Sequence, residues 1–438
     1  MQTDERGLAL SGADSLQARR FDDCVRSWLE YRGRAPADTE TLHEEAPELA
    51  MATVLLGAMR MASGLSAARP AVADALASLR PRLPELTPRE RDHVRALDAW
   101  AAGDPRQACA HWDALLSRHP TDLIALKLQH FCLFWLGRPR HMRRVLERVM
   151  PAWGPDVPGH SFVQGMHAFA MEEQGELAAA ERLGRDAVEG CPDDLWAVHA
   201  VAHVLEHAAR VQEGVAWLQP EHSRWEDRNP FRAHLWWHAA LYLFSEGAFE
   251  RVLELYDTRI RPDDRLFYLG LQNSASLLAR LAFAGVDVGD RWDALADAVS
   301  TRLDDAAVPF THPHFSMVFA HARRPAAERA HLEHLERAAA RHDEAGRTAA
   351  MALSVCRAIG DLHAGRAAEA WRALRRQTPD FLAFGGSAAQ REILVRYRLD
   401  SAIASGAHGP AEEMLEMPML AGRFDPATRR ARDRLRER

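Results

Sequence analysis

Apolar residues recur along the chain with a helical period, and strand-like alternation is sparse. Val, Ile and Thr never gather into alternating runs, and good helix formers dominate most segments. Two pairs of segments show the plan: "DLWAVHAVAHVLEHAAR" followed by "VQEGVAWLQ", and "RAHLWWHAALYLFSEG" followed by "AFERVLELYDTRI". The pattern predicts an all-α protein.

Residues that end or precede helical segments recur at a fixed spacing. The segments end at positions 34 or 38 residues apart, namely Gly103, Gly137, Gly175, Ala209, Gly247 and Gly285. A second series opens the segments with the same steps: Pro120, Pro158, Pro192 and Pro230. Glycine suits the turn after a helix, proline suits a helix start, and a helix–turn–helix unit of about 34 residues is typical of tetratricopeptide repeats.

The spacing therefore predicts a tetratricopeptide-like solenoid of stacked antiparallel helix pairs. Residues 1–86 are less regular and are expected to form an N-terminal helical cap, because terminal repeats are atypical. Residues 87–438 are expected to form a single continuous superhelix. In such solenoids the first helices of the pairs line the concave groove.

Composition narrows the function classes. The net charge is −7 and the pI near 6.3, without the basic domain typical of nucleic-acid binding. The N-terminal "MQTDERGLALSG" lacks a signal-peptide pattern, and no apolar run approaches the ~18 residues of a membrane helix. Five scattered cysteines without a CxxC pair favour reduced thiols. We expect a cytoplasmic protein that binds neither nucleic acid nor membrane.

The first helices carry histidines at helical spacing. "HAVAHVLEH" places His199, His203 and Glu206 on a stripe about 100° wide, and "HLWWH" places His234 and His238 one turn apart. Histidines also stand at nearly the same height in four successive first helices: His130, His167, His203 and His238. These side chains are expected to converge on one patch of the groove, with His314 of "THPHFSM" further along.

Lys127, in "IALKLQHF", is the only lysine in the chain and lies one turn from His130. A GC-rich codon bias explains a shortage of lysine without any structural reason. A functional site explains it differently, because lysine is a compact point charge whose pKa falls on burial, whereas arginine stays charged. Both explanations stay open at this stage.

Two chemistries fit the histidine patch, since every buried imidazole needs partners for its nitrogens. One is a divalent metal site for zinc, iron or manganese, with Glu206 as a further ligand and these imidazoles: His199, His203, His234 and His238. The other is metal-free acid–base catalysis, in which Lys127 anchors an anionic group or forms a Schiff base. Its catalytic residues are Lys127, His130, His203, Glu206 and His238. The chain has no H-E-x-x-H motif, so the metal signal is nonspecific.

Several motifs resemble one known family over nearly the whole chain. They occur in this order: "GLALS", "LTPRERDHV", "HPTDLIALKLQH", "WAVHAVAHVLE", "HLWWHAALYLFSEG", "RWDAL" and "GGSAAQRE". The chain resembles the tetratricopeptide repeat protein 38 family, which implies a helical-repeat fold and a mostly cytosolic location, whereas the family's molecular role is poorly defined. Residues that match the family pattern are Lys127, His130, His199, His203, Glu206, His234, Trp237, His238, His314, Gln390 and Arg391.

The chain also departs from that family. Phe131 stands where the family pattern has Asp, and Thr311 and His312 stand where it has Asn-Asp. His167 replaces a family Tyr. The loss of acidic groups weakens the metal interpretation and suggests a different ligand for this member.

Two functions from different classes follow. The first is a pocket that binds and transforms a small polar or anionic molecule, with these ligand-binding residues: His167, His199, His234, Trp237, His314, Gln390 and Arg391. The second is a protein-interaction scaffold that binds a peptide or partner in the groove. Histidines, a glutamate and tryptophans gathered at one level favour the pocket, because a peptide groove is typically lined by cationic clamps along its length.

Overall fold

The structure is a computed structural model of the 438-residue chain. It describes residues 1–219, 225–228, 231–261, 267–303, 308–342, 344–378, 380–417, 419–420 and 425–437. Pro230, the last member of the proline series, lies outside the described residues. The described residues are mainly helical, which confirms the all-α helical-repeat prediction.

Helices occupy most of the first half of the chain. After a two-stranded antiparallel hairpin, in which Gln2 pairs with Leu10, helices follow one another with short turns. The elements are β1 Gln2–Thr3, β2 Ala9–Leu10, α1 Ser15–Leu29, α2 Ala35–Glu45, α3 Ala50–Ala62, α4 Ala68–Leu79, α5 Pro88–Ala101, α6 Pro105–Arg118, α7 Leu123–Trp135, α8 Pro139–Val149, α9 His160–Glu172, α10 Leu177–Gly190 and α11 Leu195–His207.

The second half continues with helices alone among its described residues. They are α12 Val211–Trp217, α13 Phe231–Glu246, α14 Phe249–Leu255, α15 Tyr268–Phe283, α16 Arg291–Ser300, α17 Thr311–His321, α18 Pro325–Ala339, α19 Glu344–His363, α20 Ala367–Leu374, α21 Ala388–Ala404, α22 His408–Leu415 and α23 Pro426–Arg436. Single 3₁₀ turns follow α4, follow α8 and precede α21, and a π-helical turn follows α14.

The chain divides into two compact units. Unit 1 comprises Met1–Val204 and Pro220–Arg232, and unit 2 comprises Leu205–Gln219 and Ala233–Arg438. In unit 1 each helix from α5 to α10 packs on the next, and in unit 2 each helix from α15 to α22 does the same. The predicted division at residue 86 and the single continuous superhelix stay predictions.

Caps and turns set the helix boundaries. Asp122 begins α7 by accepting a hydrogen bond from the backbone N–H of Ala125 at 3.0 Å. Pro120, Pro158 and Pro192 lie two or three residues before their helices rather than at the first helical position. Other prolines, such as Pro139 of α8, occupy the first helical position.

The residues predicted to end the helices adopt positive φ. They are Gly103, Gly137, Gly175, Ala209, Gly247 and Gly285. Ala209 takes this conformation with φ of 54° although it carries a Cβ, as the repeat spacing predicts. The series continues at Arg323, 38 residues after Gly285, and then at Gly365 and Gly406, where the steps are longer.

First and second helices of the pairs differ in burial. Ten of the thirteen residues of α7 and fourteen of the sixteen of α15 are buried, so these first helices are enclosed on nearly every face. The second helix α8 buries only one stripe, formed by Met142, Val145, Leu146 and Val149. The polar side chains of α7 and α15 therefore lie in the protein interior rather than along an open groove.

No helix among the described residues is long and apolar enough to cross a membrane. All five cysteines are free thiols, and four of them are buried. The thiols therefore pack as small core side chains, in line with the cysteine pattern.

Candidate functional site

The predicted site residues are distributed over both units. In unit 1 lie Lys127, His130, His167, His199 and His203. In unit 2 lie Glu206, His234, Trp237, His238, His314, Gln390 and Arg391. Each set is therefore described within its own unit.

Lys127 is buried on α7, with 8% of its surface exposed. Its Nζ donates a hydrogen bond to the Tyr31 hydroxyl at 3.0 Å and lies 4.9 Å and 4.8 Å from the ring centroids of Tyr31 and Trp196. Aromatic faces attract a cation. Burial nevertheless lowers the pKa of Lys127 to about 8, against the opposing effect of the Asp194 charge. A substantial fraction of this amine is neutral at slightly alkaline pH.

Asp194 is the acidic partner of Lys127, and sequence reasoning missed it. Its Oδ1 accepts the backbone N–H of Trp196 at 2.9 Å, at the first turn of α11. Burial raises the pKa of Asp194 to about 7, although Lys127 and backbone donors lower it. Gly165 makes room for the carboxylate, since a Cβ there would lie 2.7 Å from Oδ2. The repeated "PTDLIA" and "PDDLWA" would have marked this position.

His130 lies in an aromatic cage beside Lys127. Its ring meets Trp196 edge-on at 5.5 Å and Phe169 at 6.0 Å between centroids. Burial and the neighbouring Lys127 hold the pKa of His130 well below its usual range, so the ring is neutral. Neither ring nitrogen has a hydrogen-bond partner among the described residues. A buried imidazole in this state is costly unless water or another polar group reaches it.

A carboxylate and two imidazoles form a line in unit 1. The Nε2 atoms of His199 and His203 are 2.9 Å apart, and His203 Nδ1 lies 3.6 Å from Glu172 Oε1. One imidazole therefore donates to the other across the Nε2 atoms. Phe169 packs against both rings, with centroids 5.4 Å and 5.3 Å away, and connects this line to His130. All three members of the line are buried.

Part of this line could hold a metal ion. Glu172, Glu173 and His203 each offer one ligand atom, and these atoms lie within 4.8 Å of one another. Carboxylate oxygens with an imidazole nitrogen suit zinc, iron or manganese. The two glutamates were not among the predicted ligands, because no short motif connects them with His203. They end α9, one helix pair before His203.

Unit 2 contains an equivalent line one repeat later. Glu206 Oε2 lies 3.2 Å from His238 Nδ1, and the rings of His238 and His234 are 4.8 Å apart. His234 Nδ1 is 3.1 Å from the Asn273 amide oxygen, so this nitrogen donates. Trp237 stacks on His234, and its Nε1 donates to Ser276 Oγ at 3.1 Å. The predicted cluster in this unit thus consists of packed side chains, each held by a hydrogen bond to another buried or partly buried group.

The remaining predicted residues contact the backbone around them. His314 Nδ1 lies 2.7 Å from the Phe310 carbonyl oxygen, and burial lowers the pKa of His314 to about 4. Gln390 accepts the backbone N–H of Ser387 in a capping box at the start of α21. Arg391 donates to the carbonyls of Asp380 and Gly386. His167 is half-buried on α9, and burial lowers its pKa.

Comparisons with known proteins give no assignment of family or function. No protein-family model matches the chain. A human IFIT1 dimer solved with m7Gppp-AAAA is similar at 11% identity and a TM-score of 0.42, over 98% of this chain and 96% of that chain. The APC/C heterotetramer Cut9–Hcn1 is similar at 11% identity and a TM-score of 0.37, over 97% of each chain.

The TPR domain of P58(IPK) is similar at 12% identity and a TM-score of 0.23, over 80% of this chain and 98% of that chain. At these TM-scores the likenesses carry no assignment, and the fold rests on the helix pairs of the chain itself. The chain is therefore assigned as a tetratricopeptide-like helical-repeat protein. Membership of the tetratricopeptide repeat protein 38 family stays a prediction.

Proposed function

We propose that the chain is a helical-repeat scaffold that binds an acidic segment of a protein partner. The observation that carries the proposal is the burial of the candidate catalytic side chains, whose exposed fractions are 8% for Lys127, 3% for His130 and none for His203. A catalyst must present such groups to a substrate. Groups enclosed in helix packing serve to hold helices together, which leaves recognition to the surface.

The surface of α8 supports an acidic partner. Arg138, at the start of α8, is exposed, as are Arg140 and Arg144, one helical turn apart on one face. None of the three has an ion-pair partner among the described residues. Their neighbours differ, because Arg143 contacts Glu147 and Glu176 while Arg148 contacts Asp113 at 3.0 Å. The three free arginines form what we call the α8 arginine surface.

Charge and geometry together favour a carboxylate-bearing ligand for this surface. The whole chain has a net charge of −7, so a cationic stripe stands out against its surroundings. Guanidinium groups bind carboxylates with two parallel hydrogen bonds. Exposed ion pairs contribute at most about 1 kcal/mol each, so the partner is expected to bind weakly and in a salt-dependent way.

The test uses a fluorescent peptide of eight glutamates and the full-length protein. Anisotropy at low salt should show binding by the wild type, and Arg140→Glu combined with Arg144→Glu should weaken it by about tenfold, which corresponds to 1.4 kcal/mol. The matched control reverses the charge of two exposed arginines of α18, Arg329→Glu with Arg337→Glu. Its affinity for the peptide should stay within about twofold of the wild type.

A second arm uses cells that produce the protein. Proximity labelling should recover acidic proteins with the wild type and with the α18 control, and lose them with the α8 variant. Equal recovery by all three proteins would contradict the proposal. The catalytic roles of Lys127, His130, His203, Glu206 and His238 stay predictions, and a small molecule retained in native mass spectrometry would favour them.

A further inference from the structure

Unit 2 contains a cleft that neither the sequence motifs nor the proposed scaffold role uses. Its volume is about 470 Å³, within the range of small-molecule sites. The C-terminal ends of α15, α17 and α19 meet α21 around it and contribute Phe283, His321, His363 and Tyr397. Two of these four side chains offer aromatic faces and two offer ring nitrogens, so the cleft suits a flat molecule with a polar edge.

The two imidazoles share one phenol. His321 Nε2 lies 3.2 Å from the Tyr397 hydroxyl oxygen, and His363 Nε2 lies 3.4 Å from it. Trp292 stacks on His321 with centroids 4.3 Å apart and an interplanar angle of 1°. The rings of His321 and His363 are themselves 4.3 Å apart. These contacts fix the orientation of both imidazoles.

Both imidazoles are neutral. Burial lowers the pKa of His321 to about 3, and burial also lowers the pKa of His363 despite the opposing Asp400 charge. Burial likewise holds the pKa of Tyr397 above its usual range, so the phenol keeps its hydrogen. The Tyr397 hydroxyl is therefore the shared hydrogen-bond partner of two neutral imidazoles.

This sharing determines the hydrogen-bonding character of the two Nδ1 atoms. The phenol hydrogen points to one Nε2, so the other Nε2 must carry a hydrogen and donate to the phenol oxygen. A neutral imidazole has a single N–H. The ring that donates through Nε2 thus has an acceptor at Nδ1, and the ring that accepts at Nε2 has a donor at Nδ1. Neither Nδ1 has a hydrogen-bond partner among the described residues.

We propose that this cleft binds a neutral planar molecule with a hydrogen-bond donor next to an acceptor, as in a lactam or a carboxamide. The donor of the ligand would meet one Nδ1 and its carbonyl the other, while the ring packs on Phe283. Charged ligands fit less well. Among the described residues no arginine or lysine lines the cleft to hold an anion, and the Asp400 carboxylate already pairs with Arg434.

The experiment compares quinolin-2-one, whose lactam has both groups, with 1-methylquinolin-2-one, which lacks the donor. Dissociation constants are measured by calorimetry on the full chain. The lactam should bind, and methylation should weaken binding at least tenfold, because the acceptor nitrogen would face a methyl group. Tyr397→Phe removes the shared hydroxyl and should reduce this discrimination to below about threefold.

Two further variants keep the outcome interpretable. Ala404→Phe adds a ring at the exposed alanine of the lining, leaves His321, His363 and Tyr397 in place, and should weaken lactam binding at least tenfold. His342→Ala changes an exposed histidine outside the cleft and should leave it unchanged. Equal affinity for the two quinolones, an unaffected Ala404→Phe variant, or absence of binding at about 5 mM lactam would each overturn the proposal.

Discussion

Two aspartates of unit 1 occupy equivalent places in the repeat, and their pKa values are shifted in opposite directions. Asp122 of "PTDLIA" begins α7, and Asp194 of "PDDLWA" begins α11 72 residues later. Both are buried, and both accept a backbone N–H of their helix. Arg89 and His93 bring the pKa of Asp122 well below its usual range despite burial, whereas burial raises that of Asp194 to about 7.

The difference lies in the cation. Arg89 Nε and His93 Nε2 donate directly to Asp122 Oδ2 at 2.6 Å and 2.9 Å. Lys127 instead donates to the Tyr31 hydroxyl and acts on Asp194 through its charge. The Arg89 charge, with the direct hydrogen bonds, outweighs desolvation at Asp122, while the Lys127 charge with backbone hydrogen bonds does not outweigh it at Asp194. The same position in the repeat therefore holds an aspartate that stays ionised beside Arg89 or one that titrates near neutral pH beside Lys127.

Asp122→Asn should produce the largest effect. The substitution keeps the cap but leaves the buried Arg89 guanidinium without its counter-ion, and unfolding free energy should fall by about 3–5 kcal/mol. Urea denaturation measures the loss. Asp104→Asn is the control, because Asp104 also caps a helix but is exposed, and it should cost less than about 1 kcal/mol. Equal losses in the two variants would contradict the comparison.

Lys127→Arg should have the next largest effect. A guanidinium is bulkier than an ammonium and must fit between Tyr31 and Trp196, and overpacking of this kind costs about 1–3 kcal/mol. The reverse exchange at the surface, Arg144→Lys, is the control and should stay within about 0.5 kcal/mol. If Lys127→Arg is equally silent in urea denaturation, the packing around Lys127 does not explain why the chain has a lysine there.

The sequence predicted the fold well because the turns and helices of each repeat follow from residues close together in the chain. The turn at Ala209 follows from its place in the series, and the helix pairs follow from the apolar period. The sequence did not reveal that Lys127 donates to Tyr31 and acts through its charge on Asp194, because these interactions join positions 96 and 67 residues apart. It also missed the cleft between His321 and His363, since these residues end different helices and form no motif.

The pH dependence of stability should distinguish the two aspartates. Asp194 has a folded pKa of about 7 against an ordinary 3.8, so the folded state binds more protons between these values and stability falls as pH rises from about 4 to 7. Lys127 has a folded pKa of about 8 against 10.5, so stability rises again above pH 8.

Asp194→Asn should flatten the acidic part of this profile, measured as urea midpoints from pH 4 to 10. Asp122 acts with the opposite sign, because its lowered pKa adds stability that is lost only as pH falls below about 4. Parallel profiles for the wild type and Asp194→Asn would show that Asp194 does not titrate in this range.

Tyr31→Phe should have the smallest effect on stability. It separates the effect of the Tyr31 hydroxyl on the Lys127 pKa from that of the Asp194 charge. The ring stacks on Phe231 with centroids 4.4 Å apart, and phenylalanine keeps that contact while removing the hydroxyl that accepts from Nζ. Loss of one hydrogen bond should lower the unfolding free energy by about 1 kcal/mol. Without the Tyr31 hydroxyl as acceptor the buried ammonium is less favourable, so the pKa of Lys127 should fall further and the alkaline rise in stability should begin at a lower pH. If the rise keeps its position, the Asp194 charge rather than the Tyr31 hydroxyl holds the proton on Lys127, and the contrast with the hydrogen-bonded Arg89–Asp122 pair would no longer rest on direct contact.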